Sequence, residues 1–160
     1  MTGAVIHRQA VRAILLTPDN EVLLMRLVLE GFGPFWIAPG GGIEAGEGME
    51  QAMRRELKEE VGLDRFEMGP LIWRRQHTFT YGGRRLCQRE DYFAIHVRRF
   101  DPVMSDEIEV KVLDSFRWWT PAELCQASER LTPLALADIV ERYLTIGPPR
   151  ELPEIEVLVD

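Results

Sequence analysis

The chain has 160 residues, 26 acidic and 19 basic, for a net charge of −7. That is the length of one domain, and 46% apolar with 28% charged residues is ordinary globular composition, which excludes disorder, a coiled coil and collagen. The acidic balance argues against a scaffold for nucleic acid or a protein of anionic membrane surfaces, and no apolar run approaches the roughly 20 residues of a bilayer crossing.

In chain order the first elements read as strands. Ala10–Thr17 is rich in Val, Ile and Leu, Pro18-Asp19-Asn20 signals a turn, and Glu21–Val28 resumes the apolar run, so a hairpin is expected. Gly31, Gly33 and Pro34 break the chain before the short extended piece Phe35–Ala38. Pro39 and Gly40-Gly41-Gly42 then read as a loop. From Gly48 to Val61 the sequence is helical, with Gly62 placed as a C-terminal cap. Strands follow at Met68–Thr80, Arg84–Arg99 after a Gly82-Gly83 turn, and Phe116–Trp119. Thr120-Pro121 reads as an N-cap with Pro at the first helical position, opening Ala122–Ser128. Thr132-Pro133 repeats that signal before a last helix to Tyr143. A mixed sheet with two or three helices is expected in one domain, residues 1–146. The tail 147–160, with three Pro and four acids, is either a loose arm or an edge strand.

Residues 1–16 lack a continuous apolar stretch before a small-residue cleavage site, so no signal peptide is expected. Cys87 and Cys125 form no metal-ligand pattern and read as reduced thiols of a cytoplasmic protein. Charge is uneven. Residues 41–63 hold six Glu against three basic residues, the tail is equally acidic in balance, and residues 64–99 hold eight Arg against four acids. Arginine is the side chain best suited to bidentate phosphate contacts; Arg74, Arg75, Arg84, Arg85 and Arg89 read equally as phosphate ligands or as a solvated face.

The chemistry concentrates in GGIEAGEGMEQAMRRELKEEVGL, residues 41–63. At 100° per residue Met49, Ala52, Met53, Glu56, Glu60 and Leu63 share one helical stripe, flanked by Leu57 and Glu59. Its first half is apolar and should pack on the sheet. Its second half crowds three carboxylates near the helix C-terminus, where like charges repel and the macrodipole prefers cations. A hard divalent cation, Mg²⁺ or Mn²⁺, is the natural counter-charge; the alternative is a solvated acidic face paired with Arg54, Arg55 and Lys58. The glycine triplet ahead of the helix can bring bare backbone to a ligand, offering a carbonyl to a metal or amides to a phosphate.

These residues resemble the Nudix box, G-x5-E-x7-R-E-U-x-E-E-x-G-U with U apolar, at Gly41, Glu47, Arg55, Glu56, Leu57, Glu59, Glu60, Gly62 and Leu63. All nine positions are filled at the right spacing. The resemblance implies an α/β fold, an α/β/α sandwich with a mixed sheet flanked by helices, and metal-dependent hydrolysis of a nucleoside diphosphate linked to another group X. It implies Glu56, Glu59 and Glu60 as ligands of Mg²⁺ or Mn²⁺, with the Gly41 or Gly40 carbonyl beside them, and Glu47 and Arg55 fixing loop and helix through outer contacts. The catalytic base would be Glu56, Glu59 or a carboxylate outside the box. Of Asp106, Glu107, Glu109, Glu90 and Asp91, Glu107 is favoured for its place in an acidic loop. The partner would be a small nucleoside diphosphate derivative, with a homodimer left open. A non-catalytic binding or regulatory module of the same fold is the rival, and the intact box argues against it.

Substrate clues are thinner. Trp36, Trp73, His77, Phe79, Tyr81, Trp118 and Trp119 are candidates to stack on a base, each also a candidate for the core. Arg26, Trp73, Tyr81 and Arg89 are the residues singled out for substrate contact. Adjacent Trp118 and Trp119 must face opposite ways on a strand, so only one can be buried in a given layer.

Overall fold

The computed structural model describes residues 3–104 and 112–160. The strands are β1 (Ile6–Leu16), β2 (Val22–Leu27), β3 (Phe35–Ile37), β4 (Gly40–Gly42), β5 (Leu71–Tyr81), β6 (Arg84–His96), β7 (Leu113–Trp119), β8 (Arg130–Thr132) and β9 (Ile155–Val159), and the helices are α1 (Met49–Val61), α2 (Pro121–Cys125) and α3 (Leu136–Ile146). Along the sheet the order is β8-β3-β2-β1-β6-β5-β9, with β4 added on β1 and β7 on β2. The sheet is mixed: β1 runs parallel to β6 over its whole length, whereas β5 and β6 form an antiparallel hairpin closed at Gly82-Gly83.

Alternation sends side chains to two cores. Val11, Ala13 and Leu15 of β1 meet Leu23 and Met25 of β2 and the face of α1 formed by Ala52, Met53, Leu57 and Val61. Ile14 and Leu16 point the other way, onto Tyr92, Trp36, Trp119 and the helices α2 and α3. The result is the expected α/β/α sandwich. Each core closes over its apolar side chains: Leu57 and Leu136 are both 0% exposed, and full burial of one such side chain stabilises by about 1.5–3 kcal/mol.

Helix α1 ends as its sequence requires. Gly62 takes the left-handed conformation at φ 73°, and its N–H and that of Leu63 close on the carbonyls of Lys58 and Leu57. Thr120 caps α2, accepting from the Glu123 N–H at 3.2 Å while Glu123 reaches back to the Thr120 N–H.

Four expectations change. The glycine triplet is a short strand rather than a loop, pairing with Ala10–Arg12 of β1. The second signal, Thr132-Pro133, does not open a helix: Arg130–Thr132 pairs in parallel with β3, and α3 starts at Leu136. Helix α2 stops at Cys125 rather than continuing to Ser128. The buried stripe of α1 centres on Leu57, while Met49, at its N-terminus, is 43% exposed. Of the two readings of the tail, the edge strand holds, since β9 pairs in parallel with β5 from Arg74 to Thr78. Trp119 and Trp118 go to opposite faces as alternation demands, one into each core. Among the described residues no helix is long and apolar enough to cross a membrane.

Candidate functional site

Strand β4 lies between β1 and the carboxylate end of α1. The buried Glu60 carboxylate accepts the Gly40 N–H at 2.8 Å. Beside it the Glu56 carboxylate lies against Gly41, so closely that a Cβ there would sit 2.6 Å from both carboxylate oxygens. Only glycine allows backbone and carboxylate to approach in this way. Gly40 itself has φ 144° and backs onto the Val11 carbonyl and Arg12 Cα.

Arg55 organises the rest. Its Nε and one terminal nitrogen donate to the two oxygens of Glu47 at 2.8 and 2.9 Å, a bidentate pair. The same terminal nitrogen donates to the Gly42 carbonyl at 2.9 Å, and the other donates to Glu56 at 2.8 Å and lies 3.5 Å from Glu59. Glu47 also accepts the Glu44 N–H at 3.0 Å. These Arg55 bonds, followed by that amide, hold the Glu47 carboxyl down at about 2. Glu47 therefore stays charged through the neutral range and pins Arg55, which in turn sets the direction of Glu56. Among the described residues no three carboxylate, imidazole or thiol groups stand at the mutual spacing of a metal cluster; in this conformation Arg55 lies among Glu47, Glu56 and Glu59.

The structure thus brings Gly41, Glu47, Arg55, Glu56, Glu59 and Glu60 together. Arg89 stands on the same sheet face, lining a cavity of about 200 Å³ with Arg74, Asp91, Ile43 and Met49. Burial raises the Asp91 carboxyl against the pull of Arg74 and Arg89. The other substrate candidates lie apart. Arg26 is held by Glu129 at 2.9 and 2.7 Å and by Asp114 at 2.9 Å. Trp73 packs against the α3-side core, facing away from α1. Tyr81 is 58% exposed at the tip of the β5–β6 hairpin. Glu107, with Asp106 and Glu109, lies outside the described residues. Glu90 is buried with both oxygens occupied, by Arg12 at 2.9 Å and Arg75 at 2.8 Å.

Sequence reasoning missed a second constellation. Glu129 accepts from Trp36 Nε1 at 3.0 Å as well as from Arg26, and these donors hold its carboxyl at about 2. Trp36, Trp119 and Glu129 line a cavity of about 280 Å³, with the Arg117 guanidinium 3.8 Å from the Trp119 ring centre. No periodicity marks Glu129, which sits in the irregular stretch after α2, so nothing in the sequence points to it.

Glycine strand, carboxylate helix and arginine clamp thus meet in one place. The NUDIX domain family model matches residues 6–142, and the chain belongs to the Nudix family of hydrolases. An RNA pyrophosphohydrolase of Marinomonas sp. (strain MWYL1) is 33% identical over 129 residues, 72% of this chain and 78% of that protein. The nucleoside triphosphatase NudI of Escherichia coli O139:H28 is 36% identical over 119 residues, 69% of this chain and 80% of that protein. The crystal structure of a MutT protein from Methanosarcina mazei Go1 superposes with a TM-score of 0.65, covering 89% of this chain and 96% of that one at 19% identity, a likeness of fold.

Proposed function

We propose that this chain hydrolyses a pyrophosphate bond in a nucleoside diphosphate joined to a further group, with Mg²⁺ or Mn²⁺ held by Glu56, Glu59 and Glu60 and by the Gly41 carbonyl. The observation that carries the reading is the approach of the Glu56 and Glu60 carboxylates to the bare backbone of Gly40 and Gly41. Anionic oxygens beside a glycine strand make the donor set a hard divalent cation takes. When bound, such an ion neutralises charge on the phosphoryl oxygens and renders a water nucleophilic. The chain's own residues supply the alignment. Glu60, fixed by the Gly40 N–H, ties helix to strand. Glu47 locks Arg55, and Arg55 orients Glu56 and reaches Glu59. Glu56, Glu59 or Glu107 takes the proton of the attacking water. The names of the two sequence relatives, an RNA pyrophosphohydrolase and a nucleoside triphosphatase, support a phosphoanhydride attached to a nucleoside as the bond cut.

The test is phosphate release, after phosphatase coupling, from a panel of nucleotide diphosphate derivatives with Mg²⁺. The wild type is expected to turn over at least one member. Glu60→Gln should lose more than the roughly 10–100-fold that even an outer partner of a metal site is worth. Equal turnover by the variant would remove Glu60 from the site, and no turnover of any member by the wild type would refute the reaction.

A further inference from the structure

The α3-facing side of the sheet holds a line of charge that neither the box nor the proposed reaction uses. Arg12 on β1 donates from Nε to Glu90 at 2.9 Å and from a terminal nitrogen to the Gly40 carbonyl at 3.2 Å and the Ala38 carbonyl at 3.3 Å. Glu90, 2% exposed, takes Arg75 on its other oxygen at 2.8 Å. Arg75, 5% exposed, then points Nε at Glu156 of β9, 3.6 Å away. Both Arg75 Nε and the facing Glu156 oxygen are buried, and neither has a hydrogen-bond partner among the described residues. Two guanidinium groups on one buried carboxylate leave a positive charge over, and a buried charge needs a counter-ion. The balancing anions stand at the two ends: Glu156 on the last strand, and Glu60, which attracts Arg12 across the Gly40 peptide.

We propose that Arg12, Glu90 and Arg75 form a buried ionic strut through which the C-terminal strand β9 holds the Gly40 peptide in place, making Arg12 and Glu90 positioning residues of the hydrolytic site. The catalytic half of this statement rests on the reading of the box given above; the mechanical half stands on the geometry alone. Gly40 is gripped from both sides, its N–H by Glu60 and its carbonyl by Arg12. Arg12 keeps its aim because Glu90 holds its Nε, and Glu90 keeps its place because Arg75 holds its second oxygen. Arg75 is neutralised only when β9 docks in the register that sets Glu156 opposite it.

The experiment is amide hydrogen exchange by NMR, with steady-state kinetics, on the full chain carrying Glu156→Gln. Glu156 is on an edge strand and 27% exposed, and its backbone pairing does not depend on its charge, so the variant folds. Glu154→Gln is the control. It removes the same charge two residues earlier on the terminal segment, from an exposed side chain outside the strut. Glu156→Gln should speed exchange of the Gly40 amide about fivefold through local opening, while the Leu15 amide in the sheet centre is unchanged. It should lower kcat about tenfold through misplacement of the site, with KM within about a factor of two. Glu154→Gln should leave the Gly40 amide and kcat at wild-type values. Wild-type exchange at Gly40 in Glu156→Gln, or an equal rise in Glu154→Gln, overturns the strut. Faster exchange with unchanged kcat overturns its catalytic role. A wild type with no turnover on the panel refutes the proposed reaction instead, and the exchange data still decide whether β9 holds Gly40.

Discussion

Three adjacent glycines in β4 should respond to the same substitution in three different ways. At Gly41 an added Cβ falls 2.6 Å from both oxygens of Glu56. Ordinary contact begins near 3.4 Å, so the carboxylate must withdraw by about 1 Å, the scale of misplacement that costs about 10²-fold in rate. The obstacle is the end of a side chain, which can leave its rotamer for about 0.5–1.5 kcal/mol. At about 2–4 °C per kcal/mol for a domain of this size, Gly41→Ala should lower the melting temperature by only about 1–6 °C. At Gly42 the nearest atoms are an Arg8 side-chain nitrogen at 3.5 Å and the Gln9 carbonyl at 3.9 Å, so Gly42→Ala should alter neither rate nor stability. At Gly40 the Cβ meets the Val11 carbonyl and Arg12 Cα, both backbone, at φ 144°. Neither can step aside, and strain with overpacking should cost about 2–6 kcal/mol, or about 4–24 °C. Melting curves and kcat with Mg²⁺, measured on the three variants, check the set. Gly41→Ala with kcat within about threefold of wild type, or Gly42→Ala losing as much as Gly41→Ala, would refute the claim that Glu56 needs bare backbone at position 41.

Two further outcomes follow from the charges. The Glu47 carboxyl is lowered from 4.5 to about 2, so the folded state favours its charged form; that contribution is complete above 4.5 and fades as pH falls towards 2. The melting temperature of wild type should therefore drop more steeply from pH 5 to pH 2 than that of Glu47→Gln, and parallel curves would refute the clamp. Mg²⁺ that binds only the folded chain should stabilise it by about 2.7 kcal/mol at a hundred times its dissociation constant, or about 5–11 °C. Glu56→Gln should shift less, and equal shifts would take Glu56 out of the cation site.

Helix α1 and the two hairpins are legible because period, breaker and cap agree: Gly62 stops the helix where the apolar stripe ends, and Gly82-Gly83 sits where β5 must reverse. Strand β4 is not, because three glycines carry no β-propensity of their own. Its strand geometry comes from β1, whose Ala10–Arg12 edge accepts a partner without Cβ atoms at Gly40. Thr132-Pro133 misleads for a similar reason. The helix-start signal is local, while Leu131 is drawn into the core and its strand onto β3 by contacts distant in sequence. The carboxylates of the box can be found from spacing alone, whereas their supports cannot. Arg12, Glu90 and Arg75 come from three strands, and only the topology makes them neighbours.

Topology also decides what the uneven charge means. The sequence leaves the arginines of residues 64–99 divided between phosphate ligands and a solvated face, and three of them have a further destination. Arg75 is buried on Glu90 and faces Glu156, Arg74 donates to the Pro153 carbonyl at 2.7 Å, and Arg85 donates to the Asp160 carbonyl at 2.7 Å. Each faces the tail. The basic segment and the acidic tail therefore lie against each other, with Arg75 and Glu156 as facing opposite charges. A net charge of −3 stays in residues 41–63, where Arg55 already serves several carboxylates at once. A small metal-bridged phosphate ester suits that residue of charge better than a polyanion does, since a divalent ion can answer the carboxylates locally while the rest of the surface continues to repel long anionic chains.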